Sequence, residues 1–315
     1  MTNNQTIIKV IDLVKKYDKL TALDHFSLTV KQGEVLGLLG PNGSGKSTSI
    51  NCILSLLTYD QGEIQLFGEK MAPDKTELKR RIGVVPQDVA VFEELTVYEN
   101  IDYFCGLYIS NKDRRKTCVA EAIRIVQLEE FLNFYPKKLS GGLKRRLNIA
   151  CGIAHEPELI FFDEPTVAVD PQSRNNILES IQELNRKGAT IVYTSHYMEE
   201  IEQICSEIII MDKGSILASG TKEDLKRMIQ TSEKLQIELP LCPSDLLTTI
   251  KNWTGVLHAD YDGTTLRLDT LKEEKVLLKL LHHLESKDLL FGDFYSLQPT
   301  LNDVFLEITG KQLRD

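Results

Sequence analysis

Nine consecutive residues, Gly40-Pro41-Asn42-Gly43-Ser44-Gly45-Lys46-Ser47-Thr48, carry the pattern GxxxxGK[ST]. Glycines let a chain curl so that successive backbone N–H groups converge on phosphate oxygens. A helix opening at the lysine adds partial positive charge at the same point. In that setting Lys46 reaches the β- and γ-phosphates, and the Ser47 hydroxyl is a ligand for Mg2+. The flanking segments, strand-like VLGLL before and helix-like TSINCILSLL after, are the context the motif requires. By itself the motif specifies a nucleoside triphosphate site and no particular reaction.

A second group stands downstream, where the apolar run Leu159-Ile160-Phe161-Phe162 ends in Asp163-Glu164. A buried strand would deliver Asp163 beside the glycine loop, where it can hold the Mg2+ shell. Glu164, one residue on, can polarise an attacking water. Taken alone, paired acids at a strand end fit a surface turn equally well. Upstream lies Leu139-Ser140-Gly141-Gly142-Leu143 before a helix-forming stretch. On its own, Ser-Gly-Gly is more simply a helix-entry loop.

These groups need a scaffold. Continuous apolar runs at Glu34–Leu38, Ile82–Val85, Leu159–Asp163, Thr190–Ser195 and Glu207–Met211 read as strands buried on both faces, with helical patterns between several of them. This predicts an α/β domain with a largely parallel core sheet over residues 1–229. The texture then changes. Lys234–Leu239, Val256–Asp260, Thr264–Asp269 and Leu290–Leu297 read as strands, with helices over Ser244–Trp253 and Leu271–Ser286 and a hairpin at Asp262-Gly263. That β-α-β-β-α-β order predicts a small ferredoxin-like α+β domain over residues 231–310. Thr300 and Asp303 form a capping box opening a last helix.

Hydrophobic residues make up 42% of the 315 and charged residues 26%, a balance that supports a sizeable core. None of the six cysteines sits in a CxxC pair, so free thiols in a reducing cytosol are expected. No apolar run reaches the ~18 residues of a membrane span, and the N-terminus lacks the plan of a signal peptide. A cytoplasmic protein is expected, with any membrane role exercised through a partner. The net charge of −9 is spread along the chain. The one basic cluster, Lys144-Arg145-Arg146, is short and reads as a solvated helix face, so no nucleic-acid partner is expected.

With Ser140–Gly142 about twenty residues before Asp163, the chain resembles the ABC ATPase family, whose signature is LSGGQ. The resemblance runs from about Val10 to Leu225 and takes in Tyr17, Gly40–Thr48, Gln87, Ser140–Gly142, Asp163-Glu164, Asp170 and His196 in the family's order. It implies a P-loop NTPase cassette with a helical signature subdomain, binding ATP and Mg2+. It implies further that two cassettes pair head-to-tail; with Lys46, Glu164 and His196 all present, two competent sites in a homodimer are expected. Each ATP then lies between the glycine loop of one copy and Ser140, Gly141 and Gly142 of the other. By the same resemblance Gln87 contacts Mg2+ and water and senses a membrane partner. His196 bridges to the γ-phosphate, and Asp170 lies across the dimer interface, although it also suits the N-cap position before Pro171. Tyr17 matches the aromatic that stacks on adenine, with a core tyrosine as the competing assignment. Leu143 stands where the signature has glutamine, and Val169 replaces a common leucine. The segment Gln298–Gly310 is similar to the tail of cassettes from drug- and antibiotic-resistance exporters. That likeness implies a separate multi-span permease and a place on the inner face of the membrane. A soluble ABC ATPase acting on a macromolecular complex is the alternative.

Overall fold

The computed structural model describes residues 5–229, 232–271, 274–297 and 299–309. Contacts divide the chain into two compact units, one running to Lys222 and the other starting at Glu223. The helix that follows Thr221 thus groups with the second unit, ahead of the boundary expected near residue 230; Gln230 and Thr231 themselves lie outside the described residues.

The first unit opens with two long strands, β1 (Thr6–Tyr17) and β2 (Leu20–Lys31). Then come β3 (Val35–Leu39), helix α1 (Lys46–Ile53), β4 (Gln61–Leu66), β5 (Glu69–Lys70), α2 (Thr76–Lys79) and β6 (Ile82–Val85). A helical block follows: α3 (Val97–Gly106), α4 (Lys112–Ile125) and α5 (Gly141–Ile153), packed on one another. The unit continues with β7 (Leu159–Asp163), α6 (Pro171–Arg186), β8 (Thr190–Ser195), α7 (Met198–Ile204), β9 (Glu207–Asp212) and β10 (Ser215–Gly220).

The core sheet has the order β10-β9-β3-β8-β7-β6. All its pairings are parallel except that of β9 with β10. Every residue of β3 and β8 is buried, which is why neither sequence alternates apolar with charged residues; the polar residues of β8, Thr190, Thr194 and Ser195, are buried as well. β3 begins one residue later than expected because the Glu34 carboxylate folds back to accept the Lys31 amide at 2.6 Å.

A second, antiparallel sheet of order β2-β1-β4-β5 packs its inner face on the core sheet and α1, with Phe26, Ile53, Ile64 and Phe161 in one apolar cluster. No strand of this sheet was expected from the sequence. Its period-two pattern is broken by register shifts in β1 between Val10 and Leu13, where Asp12 takes a φ of 53°. α1 is also shorter than the apolar run suggests. It ends at Ile53, and Ser55 turns the chain with a φ of 53°.

In the second unit, α8 (Lys222–Met228) precedes β11 (Ser232–Glu238), α9 (Ser244–Lys251), β12 (Val256–Tyr261), β13 (Thr265–Leu271), α10 (Val276–Ser286), β14 (Phe294–Leu297) and α11 (Leu301–Thr309). The sheet order β12-β13-β11-β14, antiparallel throughout, is the split βαβ arrangement. Its own core gathers Leu235, Ile237, Ile250, Leu268, Leu280 and Leu284. The hairpin turns at Gly263, with φ 103°, while Asp262 Oδ1 accepts the amides of Thr264 and Thr265. α10 starts at Val276 rather than Leu271, because Leu271 still pairs with Ser232 in the sheet. The capping box before α11 is formed: Asp303 Oδ2 accepts the Thr300 amide at 2.8 Å, and Thr300 Oγ1 accepts the Asp303 amide at 3.2 Å. Gln298 and Gly310, the ends of the tail-like segment, lie outside the described residues.

Candidate functional site

The glycine loop joins β3 to α1 at the carboxyl end of the parallel strands. Gly45 caps α1 with φ 106°, a left-handed conformation that a side chain resists, and a Cβ there would stand 2.7 Å from the Ala22 carbonyl. Gly40 is constrained by space, since a Cβ on it would overlap the Met211 carbonyl and Ser44. Lys46, only 5% exposed, donates from Nζ to the carbonyls of Gly40 (2.7 Å) and Pro41 (3.3 Å). The same ammonium lies 3.2 Å from Glu164 Oε1. The other Glu164 oxygen is 3.1 Å from His196 Nδ1. Three residues far apart in sequence thus form one buried chain of cation, carboxylate and imidazole.

Glu164 is held from behind. Its amide donates to Thr194 Oγ1 at 2.9 Å, and that hydroxyl donates to Asp163 Oδ1 at 2.7 Å. Its φ of 47° is unusual for a residue with a side chain, and such strain at roughly 1–3 kcal/mol is retained where neighbours over-determine it. Ser44 Oγ is buried without a hydrogen-bond partner. An orphaned hydroxyl and a buried ammonium around a glycine turn suit a polyphosphate, which brings acceptor oxygens and negative charge.

Ser140, Gly141 and Gly142 form a separate cluster. Ser140 caps α5 by accepting the Leu143 amide at 3.3 Å. Gly142 lies so close to α6 that a Cβ would overlap Ser173. Asp170 caps α6, accepting the Ser173 amide at 2.9 Å, and that hydrogen bond holds its carboxyl below the ordinary range. Asp170 Oδ2 would be 3.5 Å from a Cβ on Gly142, so the signature glycines and the Asp170 turn are neighbours within one chain.

A family model described as ABC transporter matches residues 23–167, a span holding the glycine loop, the Ser140 turn and Asp163-Glu164. The linearmycin resistance ATP-binding protein LnrL of Bacillus subtilis is 37% identical over 98% of this chain and 100% of its own length. The daunorubicin/doxorubicin resistance ATP-binding protein DrrA of Streptomyces peucetius is 34% identical, over 98% of this chain and 94% of its own. Among solved structures, a dimeric bacterial ABC transporter cassette superposes with a TM-score of 0.63 at 29% identity, covering 68% of this chain and 98% of that one. The chain belongs to the ABC transporter ATP-binding family. It is an ATP-binding subunit, and the cassette hydrolyses ATP to power transport.

Two further expected residues of the cassette, Gln87 and Tyr17, are exposed. Gln87 follows β6 and is exposed, and its carbonyl accepts a hydrogen bond from the Arg145 guanidinium. Tyr17 ends β1, 43% exposed, with the Lys15 ammonium 4.8 Å from its ring centre. The competing assignment of Tyr17 to the core is therefore wrong: β1 leaves its face to solvent. The basic cluster also differs from expectation. Lys144, Arg145 and Arg146 are partly buried and tie α5 to Glu93, to Gln87 and to the carbonyls of Val126 and Gln127. Among the described residues no helix is long and apolar enough to cross a membrane.

Sequence reasoning missed a polar core behind His196. Glu200, 1% exposed, accepts hydrogen bonds from Thr166, Tyr193 and Ser195. Burial pushes the Tyr193 hydroxyl well above its usual range, which keeps it a donor. A signal existed: helical spacing places Glu200 with Met198, Ile201 and Ile204 on the buried side of α7.

Proposed function

We propose that this chain is the cytoplasmic, peripheral motor of an exporter, hydrolysing ATP on behalf of a separate multi-span permease. The observation that carries the chemistry is the buried Lys46–Glu164–His196 chain beside the glycine loop. The exporter assignment is supported by likeness along almost the whole chain to ATP-binding proteins of antibiotic resistance, and to the Nod factor export ATP-binding protein I of Ralstonia nicotianae, 31% identical over 98% of this chain. Residues 1–229 are proposed as the ATP-binding domain and 231–310 as an accessory domain.

In the proposed mechanism the N–H groups of Gly40–Thr48 wrap the phosphates, Lys46 shifts its donors from backbone carbonyls to the β- and γ-oxygens, and Tyr17 stacks on adenine. Ser47 and Asp163 would hold Mg2+, with Gln87 approaching it; the ion, when bound, neutralises charge on the phosphate oxygens. Glu164 is the general base for the attacking water, and His196 orients both Glu164 and the γ-phosphate. Ser140, Gly141 and Gly142 act on the ATP of a second, head-to-tail copy through the free N–H groups that open α5. Asp170, packed beside Gly142, positions that loop at the interface.

Leu143 leaves these backbone donors in place, so turnover is retained and the missing glutamine costs one polar contact. Leu143→Gln is therefore expected to raise phosphate release severalfold, since a neutral hydrogen bond is worth about 0.5–1.5 kcal/mol. An unchanged rate would mark the position as tolerant.

The proposal as a whole is tested by purifying tagged Glu164→Gln protein from detergent-solubilised native membranes with ATP present, followed by mass spectrometry. Recovery of a multi-span membrane protein in near-equal amount is expected. Recovery of ribosomes, DNA or the chain alone would overturn the transporter assignment.

A further inference from the structure

The Glu200 carboxylate gathers three segments that the proposed reaction needs to move together. Thr166 Oγ1 donates to Oε2 at 2.9 Å from the segment leading out of Glu164. Tyr193 and Ser195 donate to the same oxygen, both at 2.8 Å, from β8, which ends just before His196. The other oxygen stands 3.3 Å from Arg174 Nε on α6. Ser195 Oγ in turn accepts the Tyr197 amide at 2.9 Å, pinning the turn that carries His196. Arg174 lies 4.4 Å over the Tyr197 ring, and that ring centre is 4.1 Å from the His196 ring. Arg174 also follows Ser173, the residue packed on Gly142.

We infer that Glu200 is a positioning residue for hydrolysis: it ties the His196 turn, the Thr166 segment and α6 into one unit, so that Glu164 and His196 keep their mutual geometry while the Asp170 turn follows. A core filler of this volume needs no charge, and burying a carboxylate is costly unless it is satisfied. Here Oε2 gathers hydrogen bonds from two segments of the site and Oε1 faces Arg174 of a third as an ion pair, the pattern of a tie rather than of packing. The three hydroxyls donate to Oε2, while the Arg174 guanidinium stands beside Oε1 without a hydrogen bond between them. An amide of the same shape presents an NH2 group either to Arg174 or to the three hydroxyls, and is mismatched both ways.

This inference rests on the proposed roles of Glu164 and His196. Its test is steady-state phosphate release by the full chain with ATP, for Glu200→Gln, for the isosteric Thr166→Val and for the hydroxyl-preserving Thr166→Ser. Loss of the tie is expected to lower kcat about tenfold or more, since small misplacements of catalytic groups are costly. KM for ATP should stay within about twofold, the signature of an interaction made in the transition state. Thr166→Ser should keep nearly full activity, and combining Glu200→Gln with Thr166→Val should cost little beyond the worse single change. Unchanged kcat, an equal rise in KM, or losses that multiply would each overturn the inference. Should Glu200→Gln fail to fold, the Thr166→Val and Thr166→Ser pair decides. Glu164→Gln and His196→Ala run in parallel: if they keep turnover the proposed site falls, and if only they lose it the tie alone falls.

Discussion

Glu164→Gln lowers ATP turnover by about 10²–10⁴-fold, the usual worth of a general base, with ATP binding retained. The side chain is 5% exposed and lies between Lys46 and His196, so the amide keeps its place and volume but cannot take up a proton. Lys46 retains the Gly40 and Pro41 carbonyls as acceptors, which keeps the phosphate loop in shape. The check is phosphate release at saturating Mg-ATP, paired with equilibrium nucleotide binding. A variant with most of its activity would remove Glu164 as the base and leave only electrostatic stabilisation by the loop. With hydrolysis blocked, the ATP-bound pair of cassettes should accumulate in size-exclusion chromatography. A variant that stays monomeric in excess Mg-ATP would count against the head-to-tail homodimer.

The second large effect belongs to Lys46→Met. Nucleotide binding and turnover should both fall steeply, because the proposed phosphate contacts of the ammonium are lost together with its charge. The folded protein should suffer as well. Removing one partner of a buried ion pair leaves the other uncompensated, at a cost of about 3–5 kcal/mol. Glu164 would then keep only His196. Adding Glu164→Gln to Lys46→Met should restore a good part of the lost stability, because the stranded charge disappears. Thermal unfolding of the two single variants and the double variant measures this coupling directly. Strict additivity would show that the two charges do not interact in the folded protein.

Much of the cassette is legible in its residues. The five parallel strands announce themselves as short, largely apolar runs, because strands covered by other layers bury most of their residues. The order of the second unit is equally plain, since Asp262-Gly263 serves a turn that few other dipeptides can make. The antiparallel sheet was hidden by bulges. At Asp12 and His25 the backbone crosses to positive φ, and the alternation that marks a half-buried strand slips out of phase. The basic run 144–146 was read as a solvated face because charge in a sequence says nothing of what lies opposite. Arg146 faces the carbonyls of Val126 and Gln127, which need a donor.

What the sequence determined by itself is local: a loop whose glycines permit positive φ and close backbone approach, serine and aspartate caps that open α5 and α6, and an acidic pair placed at a strand end. Each follows from rules that act over a few residues, so type and spacing suffice. The tertiary structure decided the rest. It brought Lys46, Glu164 and His196 into one buried chain, left Tyr17 and Gln87 exposed, and closed three donors and an arginine around Glu200. Those contacts join residues separated by up to more than a hundred positions. They arise because parallel strands deliver their carboxyl ends to one edge of the sheet, where an isolated buried charge is costly and a partnered one persists.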